Sequence, residues 1–289
     1  MKKLFFSLFV VFLSSAILSF AASELDNNCH ESKSADPDFQ SNSKIDQPID
    51  TIKSYVSSKE GDSFHQLPFS LLQSIDSTSQ EKTTLLVFMH GAGERGTDNA
   101  AQLAVGLPNF IQGLKKQGLK NFVVFAPQCP PNERWVDVDW TAPSHTMNPA
   151  PHWPLKLAFS AIDSLVSAIP NLDVKRIYIT GLSMGGYGTW EMIQRRPDFF
   201  AAAIPICGGG DKLLAEKLTK IPIWTFHGSK DKAVPVVRTT SMYQAIKLAT
   251  KLNPLRIKMT IYENKGHLIW NETYDNPEVI KWLLAQRKS

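Results

Sequence analysis

Six short apolar runs, each closed by a turn-forming residue, constrain this chain more than any other feature. Thr84-Leu85-Leu86-Val87-Phe88-Met89 runs into His90-Gly91, and Phe122 to Ala126 stops at Pro127. Ile177 to Thr180 ends at Gly181, Ala201 to Ile206 leads into Gly208-Gly209-Gly210, and Ile223 to Phe226 ends at His227-Gly228. Met259-Thr260-Ile261-Tyr262 is the last. Runs this short, and apolar on both faces, suit strands of a parallel sheet covered by helices on each side. Between them, Leu155, Ala158, Phe159, Ile162, Leu165, Val166 and Ile169 recur at helical spacing. Gly185 to Arg196 ends before Pro197, as helices tend to, and Val236 to Leu252 and Pro277 to Gln286 give two more helices. The alternation predicts an α/β fold, an open and mostly parallel sheet with helices on both faces, in a single domain.

The 289 residues would also accommodate two small domains, but the alternation runs unbroken to the end and predicts one, over residues 49–289. Ahead of it, residues 1–21 read as a secretory signal. Lys2-Lys3 supply a basic start, Leu4 to Phe20 is apolar apart from four serines, and Ser19-Phe20-Ala21 places small residues at a cleavage site. Residues 22–48 are rich in Ser, Asp, Asn and Lys with little to bury, which predicts a flexible polar leader. The chain is therefore expected to be exported, periplasmic or secreted, with no stable membrane insertion once the signal is removed. Net charge is +4, of which Lys2 and Lys3 supply half, and no block of Lys or Arg follows, so nucleic acid is not an expected partner. Three cysteines, Cys29, Cys129 and Cys207, contain no C-x-x-C pair, which leaves a zinc or redox site unsupported. Their odd number leaves at least one free thiol or an intermolecular bond, and spacing does not say which.

Gly181-Leu182-Ser183-Met184-Gly185 is a G-x-S-x-G sequence standing between a strand run and a helical run, the context in which this motif lifts a nucleophilic serine above a sheet. A serine hydroxyl needs a base, and the base an orienting acid; on such a turn they follow in the order serine, acid, histidine. His267 is the histidine that lies after every suitable acid; His227 stands at a strand end ahead of Asp231 and fits that order badly. Asp231, in the turn after His227-Gly228, is the first choice of acid, with Glu263 and Asp211 as alternatives. The developing negative charge would be met by the backbone N–H of Met184 and by a second amide from His90 to Gly96, with Ala92 preferred and Gly93 next. Gln128 to Pro154 holds six prolines, Trp135, Trp140, Trp153, His145 and His152 without any period. A loop of this length in a compact domain is usually functional. Trp140 and His145 are its candidate substrate-binding residues.

His90-Gly91-Ala92-Gly93-Glu94-Arg95-Gly96, Pro127-Gln128-Cys129-Pro130, the run from Ile179 to Trp190 and Pro205-Ile206-Cys207-Gly208-Gly209-Gly210-Asp211 resemble α/β-hydrolases. They are most similar to the phospholipase/carboxylesterase-like "predicted peptidase" branch, related to dienelactone hydrolases and prolyl-oligopeptidase catalytic domains. The resemblance covers Leu67 to the C-terminus. It implies Ser183 as nucleophile, Asp231 as acid and His267 as base, and makes Cys129 and Cys207 family positions rather than a metal pair. Leu268-Ile269 departs from it, since relatives carry a polar pair between the histidine and Trp270, and this predicts a more apolar pocket. The expected activity is hydrolysis of a small-molecule or polymeric ester through an acyl-enzyme, with no cofactor and no metal. A serine peptidase and a catalytically silent binding protein are the alternatives.

Overall fold

The structure, a computed structural model, describes residues 49–60, 63–250 and 256–288. The predicted signal, the leader, Cys29 and the last two residues of the predicted Val236–Leu252 helix lie outside them. Among the described residues eight strands are formed: β1 (Asp50–Glu60), β2 (Ser63–Ser74), β3 (Thr83–Met89), β4 (Phe122–Pro127), β5 (Leu172–Leu182), β6 (Ala202–Ile206), β7 (Ile223–Gly228) and β8 (Ile257–Tyr262). They make one sheet in the order β1-β2-β4-β3-β5-β6-β7-β8. From β4 to β8 every pairing is parallel, while β1 pairs antiparallel with β2, and β2 with β4. All six predicted runs are strands.

Helices α1 (Leu107–Lys116), α5 (Trp270–Asp275) and α6 (Pro277–Ala285) cover one face; α2 (Trp153–Ala168), α3 (Met184–Arg195) and α4 (Val237–Ala249) cover the other. Strand side chains alternate between the two resulting cores. Leu85, Val87 and Met89 of β3 join Leu155, Ile162, Trp190 and Ile246 on one side. Leu86 and Phe88 join Phe110, Tyr274 and Ile280 on the other. All seven residues of β3 are buried, which is why its sequence shows no period of two. Each fully buried Leu or Phe contributes about 1.5–3 kcal/mol of transfer free energy.

The sequence did not reveal the β1–β2 hairpin, α1 or α5. β1 lies at the sheet edge with Asp50, Lys53 and Tyr55 exposed, so it lacks the unbroken apolar run by which the other strands are read. β2 contains Pro68, paired opposite Tyr55, and proline within a run argues against a strand. In α1 the helical signal is diluted by Gly113, where a side chain would crowd Ile280 and the Tyr274 carbonyl. The parallel strands all deliver their C-terminal ends to one edge of the sheet, and the candidate chemistry gathers there.

Candidate active site

Ser183 stands between β5 and α3 with φ 55° and ψ −119°, a conformation that costs on the order of 1–3 kcal/mol for a non-glycine residue. Its amide donates to the Ile206 carbonyl at 2.9 Å, tying the strained residue to β6. The turn closes this tightly because Gly185 has no side chain: a Cβ there would run into the carbonyl oxygens of Met89 and His90. Met184 and Ala92 are the first residues of α3 and of a single 3-10 turn, Ala92–Glu94. First-turn amides have no carbonyl a turn earlier to bond, and Gly91, just ahead of Ala92, lies so near Ser183 that a Cβ on it would be 3.6 Å from the Ser183 Cβ.

Asp231 is set by the turn after β7. The Asp231 amide donates to Gly228 O, Lys230 N to Lys265 O at 2.8 Å, and Ser229 N to Tyr262 O at 3.0 Å. These bonds fasten the acid turn to the turn after β8 that carries His267. Their approach needs Gly228, where a Cβ would collide with the Gly266 carbonyl. His267 Nδ1 lies 2.6 Å from Asp231 Oδ2, and His267 Nε2 lies 2.8 Å from Ser183 Oγ. Asp231 Oδ1 accepts from the amides of Ala233 and Val234 at 2.8 and 2.9 Å. Burial acts to raise its carboxyl, but the hydrogen bonds of His227, His267 and Val234 N outweigh it and hold the group well below the usual carboxylate range. An ionised Asp231 can only accept, so His267 carries its proton on Nδ1 and Nε2 is free to accept the Ser183 hydroxyl. Three predicted residues from three separate turns are thus brought into one hydrogen-bonded chain.

The alternative acids go elsewhere. Asp211 caps a 3-10 segment through Leu213 N and receives Met147 N at 3.0 Å, while Glu263 is exposed. The Gln128–Pro154 loop has no helix or strand before Trp153, yet side chains clamp it throughout. Arg238, fully buried, donates to the Tyr187 hydroxyl at 3.0 Å, to His145 Nδ1 at 2.8 Å and to Asp139 O at 2.7 Å. Tyr187 OH in turn donates to Trp140 O, and Arg195 to the carbonyls of Asn148 and Pro149. Burial, with Arg238 close by, pushes His145 down to about 4, so its imidazole is neutral and accepts. Trp140 packs against the core with Arg134 4.7 Å above its ring. The predicted substrate residues Trp140 and His145 are therefore both engaged inside the loop. Trp135, fully buried, donates from Nε1 to His90 O at 3.1 Å, and Trp153 stacks on His65.

Of the apolar pair beside the base, Ile269 is buried in the core while Leu268 is 78 % exposed. Only Leu268 is left on the surface next to His267. Cys129 and Cys207 are buried free thiols. Cys207 adopts φ 48° after β6 and donates from Sγ to His267 O at 3.4 Å. Its sulfur and ligand atoms of Asp231 and His267 lie within 4.8 Å of one another; burial raises the thiol further from ionisation, with the Asp231 charge acting the same way. The residue that sequence order set aside, His227, also lies in the site, on the far side of Asp231.

The profile of the phospholipase/carboxylesterase family matches residues 72–276. The chain belongs to that family. A thermostable esterase structure is 38 % identical with a TM-score of 0.71, over 81 % of this chain and 63 % of its own. The chain thus spans less than two thirds of that relative. A bifunctional acetylxylan esterase/xylanase of Neocallimastix patriciarum is 37 % identical over 62 residues, 21 % of this chain and 9 % of the relative. An S-formylglutathione hydrolase of Agrobacterium tumefaciens shares the fold at 15 % identity, with a TM-score of 0.57 over 83 % of this chain and 96 % of its own. In this phospholipase/carboxylesterase-family chain no helix among the described residues is long and apolar enough to cross a membrane.

Proposed function

We propose that the protein is a serine esterase in which Ser183, His267 and Asp231 act as nucleophile, base and orienting acid. The observation that carries this reading is the continuous relay from Ser183 Oγ through His267 to Asp231, at 2.8 and 2.6 Å. Ser183 Oγ attacks the ester carbonyl as His267 Nε2 takes its proton. The amides of Met184 and Ala92 meet the oxyanion, each such donor contributing about 3–4 kcal/mol of transition-state stabilisation. His267 then protonates the leaving alcohol and activates a water to release the acid. The mechanism uses neither cofactor nor metal.

Small-molecule and polymeric esters both suit this chemistry, and the acetylxylan esterase relative supports acetyl groups on polysaccharide as one such class. The basic, apolar and small-residue pattern of residues 1–21 supports export; N-terminal sequencing of the exported protein would begin at Ala22. The deciding experiment measures hydrolysis of p-nitrophenyl acetate, butyrate and octanoate by wild type, Ser183→Ala and His267→Ala. Both variants should fall to near background. Wild type no faster than Ser183→Ala on every ester would end the reading, and peptide anilides would then test amide hydrolysis.

A further inference from the structure

Asp231 faces two imidazoles. His267 lies on one side of Oδ2, and His227 Nε2 lies 3.1 Å from the same oxygen on the other. His227 is the penultimate residue of β7, its side chain wholly buried. Nε2 is also 2.9 Å from Val234 O. A carbonyl and a carboxylate only accept, so Nε2 must carry a hydrogen; it is directed at Val234 O, with the Asp231 oxygen 3.1 Å from the same nitrogen. Nδ1 lies 2.8 Å from Thr239 Oγ1 of α4, a hydroxyl shared with Gly208 O at 3.1 Å. Both nitrogens of this buried ring therefore have partners, and the ring cannot turn without breaking contacts to the turn after β7 and to α4.

We propose that His227 is a positioning residue for the reaction: its Nε2–H keeps the Asp231 carboxylate ionised and turned toward His267. The inference rests on the esterase reading of Asp231. The physical need is specific. The Asp231 side chain is fully shielded from water, and an ionised carboxylate out of water requires donors on all sides. Ala233 N and Val234 N supply Oδ1; His267 and His227 share Oδ2. Other groups near this pair are the Cys207 thiol, pushed up by burial and by the Asp231 charge, and the Tyr187 hydroxyl, pushed up to about 12 by burial while the Arg238 guanidinium bonded to it acts the opposite way. His227 thus supplies polarity that neither neighbour can. It also draws off part of the carboxylate's pull on His267.

The test compares His227→Leu with His227→Gln, whose amide can place a donor near Nε2, and with Thr239→Val, which removes the Nδ1 partner and its bond to Gly208 O but leaves Nε2 in place. Rates across pH 4–9 on p-nitrophenyl acetate are read beside thermal unfolding. His227→Leu should lower kcat/KM by roughly 10- to 100-fold and move the acid limb upward by about half a pH unit, because Asp231 then pulls harder on the His267 proton. His227→Gln should recover most of both. A folded His227→Leu with unchanged rate and acid limb overturns the inference. If His227→Leu does not fold, a folded His227→Gln with both properties displaced as far as in Thr239→Val or further overturns it, and a wild-type-like one supports it. Failure of the esterase reading itself shows separately, as full activity in Ser183→Ala.

Discussion

Two irregular regions meet over the carboxyl edge of the sheet and are held in opposite ways. The turns carrying Ser183, Asp231 and His267 are fixed by backbone: Ser183 N to Ile206 O, Lys230 N to Lys265 O, and close approaches at Gly185 and Gly228. The Gln128–Pro154 loop, beyond first residues tied by Gln128 N to Pro68 O and Gly96 N to Cys129 O, is fixed mainly by side chains reaching in from the folded frame, among them Arg238, Tyr187, Arg195 and His90. Backbone locks define position to the width of a hydrogen atom and tolerate almost no substitution. Side-chain clamps give by rotation, so the loop can change while the triad stays in place.

The largest effect is expected where the backbone lock is forced. Gly185→Ala should destabilise the protein by about 3 kcal/mol or more, because the added methyl meets the immovable carbonyls of β3's end. Activity should fall with it, since α3 and the Met184 amide must shift. Urea unfolding and ester kinetics on the same preparation check both. A Gly185→Ala protein of wild-type stability and rate would show that the elbow is held less tightly than its geometry requires.

The same contrast explains what was legible in the sequence. The elbow, the acid turn and the histidine turn could be read because glycines and chain order record backbone constraints one residue at a time. The parallel strands could be read because burial on both faces leaves unbroken apolar runs such as Leu85 to Met89. The β1–β2 hairpin could not, since an edge strand with a wet face and a Pro68 partner lacks that signature. Nor could the loop. What holds Trp140 and His145 in place is invisible in one dimension: Arg238, far along the chain, bonds His145 and the Asp139 carbonyl next to Trp140. His227 was hidden for a similar reason: chain order excludes it as the base, and nothing in a sequence marks a second imidazole on the acid.

Acid should separate the two regions. His90 Nε2 accepts the Cys129 amide at 2.9 Å and so pins the start of the loop. Burial pushes His90 down to about 4, against an ordinary 6.5. Between those values the unfolded chain binds the proton and the folded protein does not, so stability falls as pH drops from about 6.5 toward 4. The full difference is on the order of 3 kcal/mol, and protonation of His145 would break the Arg238 contact in the same window. Asp231 works lower: its depressed carboxyl contributes fully above the ordinary carboxylate value and is lost only as pH falls below it. Limited proteolysis at pH 5 should therefore cut within residues 128–152 before fluorophosphonate labelling of Ser183, measured after return to neutral pH, is lost. Loss of both together would break the contrast. His90→Asn should flatten the pH dependence of unfolding between 4 and 6.5.

A milder effect is expected at the central clamp. Arg238→Met leaves His145 Nδ1, the Tyr187 hydroxyl and Asp139 O without their donor. Each lost hydrogen bond costs about 1 kcal/mol. The guanidinium's partners are all uncharged, however, so its removal also relieves the cost of burying an uncompensated charge. The two terms oppose, and the net loss should be only about 1–2 kcal/mol. The loop should loosen more than the whole protein does, giving faster proteolysis within residues 139–145 and little change in kcat on p-nitrophenyl acetate, whose small acyl group needs only the triad and its two amides. A tenfold fall in kcat with intact stability would mean that the clamp reaches the triad through Tyr187, one helical turn beyond Ser183, and that the two regions are coupled rather than independent.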